Sequence, residues 1–122
     1  MEKSGQIQEL MDLATRSLAT LSRRGDVEDR KVRVVATLAR YRIFTHSTVQ
    51  KCTVDSGEHD ETGSQARVYV SVDTCFTAPD GSCAIVHTYG EAAGEFADAS
   101  VDAAEQARWI AMSECLEVAA ED

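Results

Sequence analysis

Residues 67–89 read RVYVSVDTCFTAPDGSCAIVHTY, and this stretch decides the fold. Val68, Val70, Val72, Thr74 and Phe76 occupy every second position, with Arg67, Tyr69, Ser71, Asp73 and Cys75 between them. A period of two marks a strand buried on one face. Ala78-Pro79-Asp80-Gly81 then breaks the pattern. Proline presets φ at the first turn position and glycine accepts a positive φ, so the segment predicts a type I turn with a glycine bulge. That turn fixes a register in which Ala78 opposes Ser82, Asp73 opposes His87 and Cys75 opposes Ile85. A returning strand over Ser82–Tyr89 then places Ala84, Val86 and Thr88 on the face of Val70, Val72 and Phe76.

Upstream, Arg30–Phe44 is rich in β-branched residues and also predicts a strand. Its alternation sets Lys31, Arg33, Val35 and Thr37 against Val32, Val34, Ala36 and Leu38. A bulge near Ala39 or Arg40 brings Arg40 and Arg42 to the side of Lys31 and Arg33. Another strand is expected over Ser47–Val54, joined by a turn near Thr45 and His46. Residues Asp55–Gln65 hold acids, glycines and no apolar residue, the composition of an exposed loop. Before all of these, Ile7, Leu10, Met11, Ala14, Leu18 and Leu21 recur at helical steps, with Ser4 as an N-cap and Gly25 as a stop.

Downstream, Gly90-Glu91-Ala92-Ala93-Gly94-Glu95 reads as a chain reversal. Its two glutamates repel phosphate, so it is no phosphate loop. The last helix is predicted over Ser100–Val118, capped by Asp98 or Ser100, with an alanine-rich face. The expected fold is α+β, a single domain over residues 1–122. It comprises an N-terminal helix, a four-stranded antiparallel sheet and a C-terminal helix packed on the sheet.

Charge is divided along the chain. Residues 1–51 hold ten of the twelve Lys and Arg and six of the 21 Asp and Glu, while the remainder carries net −13 toward the total of −9. Such a division orients the molecule toward charged partners. It also predicts a homo-oligomer, the basic half of one subunit meeting the acidic half of another. The apolar stretches are too short to span a membrane, and Glu2 behind Met1 argues against a signal peptide, so a cytoplasmic protein is expected. Cys52, Cys75, Cys83 and Cys115 form no C-x-x-C pair and have no histidine at zinc spacing. They read as free thiols. No metal, cofactor or catalytic residue is expected, since Asp73 with His87 alone supplies no nucleophile.

The basic segment is the sharper signal. Arg30, Lys31, Arg33, Arg40, Arg42 and Lys51 surround Tyr41 and Phe44. Cations interleaved with aromatic rings suit the phosphates and bases of single-stranded nucleic acid. In addition, Asp80-Gly81-Ser82, Gly90-Glu91-Ala92 and the alanine-rich final helix resemble phage single-strand annealing proteins of the ERF type, over Arg67–Val118. The family continues with an Asp-Lys pair at the helix start, where this chain reads Asp98-Ala99-Ser100. The resemblance implies a curved antiparallel sheet backed by a helix, rings of subunits, single-stranded DNA as partner and no enzymatic activity. The alternative is a small acidic phage inhibitor of a host defence complex. In that reading Asp55, Glu58, Asp60 and Glu61 imitate phosphate and bind a basic protein partner.

Overall fold

The segment after residue 26 folds as a helix. In the computed structural model, which describes residues 5–19, 26–55 and 66–120, Val27–Arg40 forms helix α2. This corrects the strand expected over Arg30–Phe44. Asp26 caps the helix, its carboxylate accepting from the Asp29 amide at 2.8 Å. Glu28 and Asp29 in the first turn and Arg40 in the last complement the helix dipole. Arg30, Val34 and Leu38, four residues apart, form the buried stripe. Val32, Val34 and Val35 favour strand individually, but the cap and the four-residue period outweigh that local preference. The Ala39–Arg40 bulge disappears with the strand. Arg42 takes a left-handed φ of 59° instead and turns the chain out of the helix, its amide donating to the Ala39 carbonyl at 3.0 Å.

Helix α1, Gly5–Ala19, buries Ile7, Met11, Ala14 and Leu18 as the periodicity predicts. The proposed cap Ser4 and stop Gly25 lie outside the described residues. Two of the first amides of α1 are satisfied from the hairpin turn: Gln6 donates to the Asp80 carboxylate at 3.0 Å and Ile7 to the Ser82 hydroxyl at 2.9 Å. Hydrogen bonds from the Ser82 hydroxyl and amide, and then from the Gln6 amide, hold the Asp80 carboxyl below its ordinary value of 3.8.

The sheet has three strands, where four were expected: β1 Phe44–Asp55, β2 Ala66–Thr77 and β3 Cys83–Gly94, antiparallel in the order β1-β2-β3. The hairpin register agrees with the turn chemistry, Asp73 pairing with His87 and Cys75 with Ile85. The register between β1 and β2 shifts between Val49 and Lys51. Gly90–Gly94, expected as a reversal, continues β3 because β2 extends to Ala66 and pairs with it through Gly94. The reversal is short, and α3, Phe96–Cys115, begins four residues earlier than Ser100. Its N-cap is Glu95, without a side-chain cap bond, so Asp98 falls in the first turn.

One face of the sheet is covered. Val68, Val70 and Val72 pack against Ala99, Ala103 and Ala107, a stripe of small side chains that lets α3 lie close. At the other end Phe76 and Ala78 join the buried faces of α1 and α2 and the end of α3 in a second cluster. Thr88 in β3 donates to the Ala107 carbonyl at 2.6 Å, and no buried side-chain polar atom lacks a partner among the described residues. No described helix is long and apolar enough to cross a membrane.

Candidate nucleic-acid interface

The opposite face of the sheet carries the chemistry. Alternation along β2 turns Arg67, Tyr69, Ser71, Asp73 and Cys75 away from α3. Register places Glu91 opposite Tyr69, Tyr89 opposite Ser71 and His87 opposite Asp73 on β3. On the other side, Thr53 opposes Tyr69, Lys51 opposes Ser71 and His46 opposes Cys75. Tyr69 and Tyr89 are therefore diagonal neighbours, with Lys51 across the ladder from Tyr89 through Ser71. Tyr89 is 74% exposed and Tyr69 40%, so both rings present surface to solvent.

A concavity of about 1010 Å³ joins this face to the flank of α3 and the start of α2. Tyr69, Tyr89 and Trp109 supply its aromatic walls, and Lys31 and Lys51 its cations. The Lys31 ammonium sits 5.7 Å from the centre of the Trp109 ring and 3.4 Å from Glu28. Trp109 is held by its indole N–H, which donates to the Ala120 carbonyl at 3.0 Å. Glu91, Asp102 and Glu105 are the acidic members of the wall. Glu91 is engaged by Arg67 at 3.0 Å. The concavity thus offers three rings, two cations and an acidic rim.

The basic residues singled out in the sequence do not form one face. Arg30 is 4% exposed, and its Nε donates to the Ala119 carbonyl at 3.0 Å, tying α2 to the segment after α3. Arg33 and Arg40 lie on the exposed side of α2, with Arg40 over the Tyr41 ring at 5.7 Å. Arg42 and Phe44 follow at the α2–β1 junction, away from the concavity. Of that group, Lys31 and Lys51 line the concavity that holds the tyrosines. Asp55 closes β1, whereas Glu58, Asp60 and Glu61 lie outside the described residues. Tyr69, Tyr89 and Trp109 were absent from the sequence-derived site. The strand pattern had already turned Tyr69 outward, and the same register carries Tyr89.

Two further groups on the open face bear on reactivity. His87 Nδ1 and the Asp73 carboxylate are hydrogen-bonded, with the imidazole largely in solvent. Cys83 shares a hydrogen bond with Cys75, which, ahead of their mutual repulsion and desolvation, pushes the Cys83 thiol above its ordinary value. A raised thiol is the reverse of an activated nucleophile. No group of three or more metal-ligating side chains occurs among the described residues. No protein-family model matches the chain, and no curated protein matches its sequence.

Proposed function

We propose that this chain is a non-enzymatic single-stranded nucleic-acid-binding protein whose contact surface is the open face of the sheet. The observation that carries the reading is Tyr89, 74% exposed, beside Tyr69 and Lys51 on the face of the sheet turned away from the described helix α3. A large ring so exposed on a strand buries little area there, but it can stack on a base of any identity. Lys51, and Lys31 at the far wall, suit the phosphates between stacked bases. The acidic rim sets a limit, since it repels a polyanion and confines the strand to the tyrosine–lysine track. A three-stranded antiparallel sheet backed by a helix also fits what the resemblance to annealing proteins implies.

Fluorescence anisotropy with a labelled oligothymidylate tests this. Tyr89→Ala is expected to weaken binding by about 1–3 kcal/mol, roughly 5- to 150-fold, and Tyr69→Ala by a similar or smaller amount. Lys51→Ala is expected to lower the slope of log K against log salt by about 0.7. Absence of binding by the wild-type chain at low salt would overturn the reading and leave the inhibitor alternative, which requires a basic protein partner.

A further inference from the structure

A second concavity, of about 540 Å³, opens where the end of α2, the start of β1, the hairpin turn and α3 meet. Its floor is Leu38, Ile43 and Met112, all buried and all members of the larger core cluster. Val35, Phe44 and Pro79 form its walls. Val35 is 59% exposed and Phe44 72%. Scattered exposed apolar residues are ordinary, but here two of them stand over an opening that leads to the core. Water in such a hollow finds few hydrogen-bond partners, so hydrocarbon that displaces it is favoured.

Three polar side chains reach the lining: Arg42, Thr45 and Arg108. Arg42 takes the left-handed φ of 59° that ends α2 and directly precedes Ile43 of the floor. Arg108 stands one turn before Met112 on α3, on the same side of the helix. Among the described residues no carboxylate lines the groove, and neither guanidinium is in an ion pair. The chain as a whole carries a net charge of −9, so two unpaired cations at an apolar hollow invert the local charge. A guanidinium binds a carboxylate through two parallel N–H bonds, and the pair strengthens where water is partly excluded.

The size and chemistry of the groove select its occupant. Its volume falls within the range of small-molecule pockets, roughly 300–1,000 Å³. A peptide would bring a backbone amide at every residue, more polar groups than three side chains can satisfy. A hydrocarbon chain with one anionic end brings polarity only where the arginines stand. We propose that this groove binds a single-chain fatty carboxylate, its tail lying on Leu38, Ile43 and Met112 and its head held by Arg42 and Arg108. The site shares no lining residue with the tyrosine–lysine concavity. It does not rest on the nucleic-acid reading, and the test below uses no nucleic acid.

Isothermal titration calorimetry of the full chain with dodecanoate, kept below its micellar concentration, is the assay. Saturable binding with a Kd below about 100 μM is expected. Decanoate is expected to bind more weakly, by up to about 4-fold for each methylene removed. Arg42→Gln and Arg108→Gln are each expected to weaken dodecanoate binding about 10-fold. Val35→Glu, which places a carboxylate on the wall, is expected to abolish it. Far-UV circular dichroism checks that each variant is folded, and the two arginine variants, at exposed positions, carry the test if Val35→Glu is not. Dodecyltrimethylammonium is the control, with the same tail and the opposite charge. A non-specific surface on a chain of net −9 would favour the cation, whereas this groove is expected to bind it at least about 10-fold more weakly than dodecanoate. No saturable binding of dodecanoate, equal or tighter binding of the cation, or arginine variants that bind like the wild type would each overturn the proposal. So would co-sedimentation with phosphatidylglycerol vesicles by a chain that ignores free dodecanoate, which would make the groove a membrane contact instead.

Discussion

Gly90 is the position where β3 and α3 touch backbone to backbone, and replacing it with alanine tests how the sheet is covered. A Cβ added there would overlap the Ala103 carbonyl oxygen and stand 2.9 Å from the Ala107 amide nitrogen. Neither neighbour is the end of a flexible side chain, so the clash cannot be relieved by a rotamer change. The helix must retreat from the sheet by roughly 1 Å, a gap that forfeits a quarter to a half of the attraction at each contact. The contacts at risk are those of Ala99, Ala103 and Ala107 with Val68, Val70 and Val72. The same retreat stretches the bond from Thr88 to the Ala107 carbonyl, now 2.6 Å, whose loss costs about 1 kcal/mol. Together with the strain of overpacking, Gly90→Ala is expected to cost about 3 kcal/mol in urea unfolding. The corresponding fall in Tm is roughly 10–15 °C. Gly81→Ala is the control: its φ is 89° but no atom lies within 4 Å, so only backbone strain of about 1 kcal/mol is expected. A Gly90→Ala chain as stable as the wild type would mean that α3 does not lie on β3 at this distance.

Other expectations follow from single contacts. Arg30→Ala is expected to lose about 2–4 kcal/mol by urea unfolding, since it removes a buried side chain and its bond to the Ala119 carbonyl. Arg33→Ala, on the exposed side of the same helix, is expected to change stability by less than about 0.5 kcal/mol. The lowered Asp80 carboxyl contributes stability at pH values above its ordinary 3.8 and loses it as pH falls through the lower folded value. Asp80→Asn is therefore expected to lower Tm at neutral pH, with the gap to wild type closing in acid. A constant gap from pH 7 to pH 2 would rule out the carboxylate as a partner of the α1 amides.

The hairpin was legible because its information is local. Pro79, Asp80 and Gly81 set the turn, and the turn sets the register of every pair from Thr77 with Cys83 to Ser71 with Tyr89. Helix α1 was legible for a similar reason, since its buried residues keep one period. Helix α2 was misread because its sequence supports two periods at once. Val32 and Val34 alternate with Arg33 and Val35 like a strand, while Arg30, Val34 and Leu38 keep a four-residue step. The conflict arises from the exposed apolar residues Val32 and Val35, which a helix with one buried face would not carry. Counting Arg30 as apolar by position, and reading Asp26 with Glu28 and Asp29 as a cap, would have resolved it. The extension of β3 through Gly94 was hidden because Gly90 and Gly94 read as breakers. At Gly90 the absent side chain makes room for the α3 backbone instead.

That misreading also shows how the charge of the chain is arranged. Once Arg30–Arg40 is a helix, its cations are split among three places. Arg30 turns inward, Lys31 turns toward Trp109, and Arg33 and Arg40 turn outward beside an apolar stripe. The acids of α3 divide in the same way. Asp102 and Glu105 reach the rim of the concavity, while Asp98 and Glu95 lie with the exposed Phe96. Alternating basic and acidic segments along the chain thus become two surfaces of different character. One sets the exposed Tyr69 and Tyr89 of the sheet beside Lys51 of β1 and Lys31 of α2, where the proposed reading expects stacking to supply the attraction and the acidic rim to limit its extent. The other sets Arg33 and Arg40 beside the exposed Val32 and Val35 on the outer side of α2. Under the proposed reading, removing a ring from the sheet is expected to weaken oligonucleotide binding, whereas a carboxylate at Val35 is expected to leave it unchanged. Single residues can probe the two surfaces separately because the fold puts the sheet face and the outer side of α2 on different parts of the molecule.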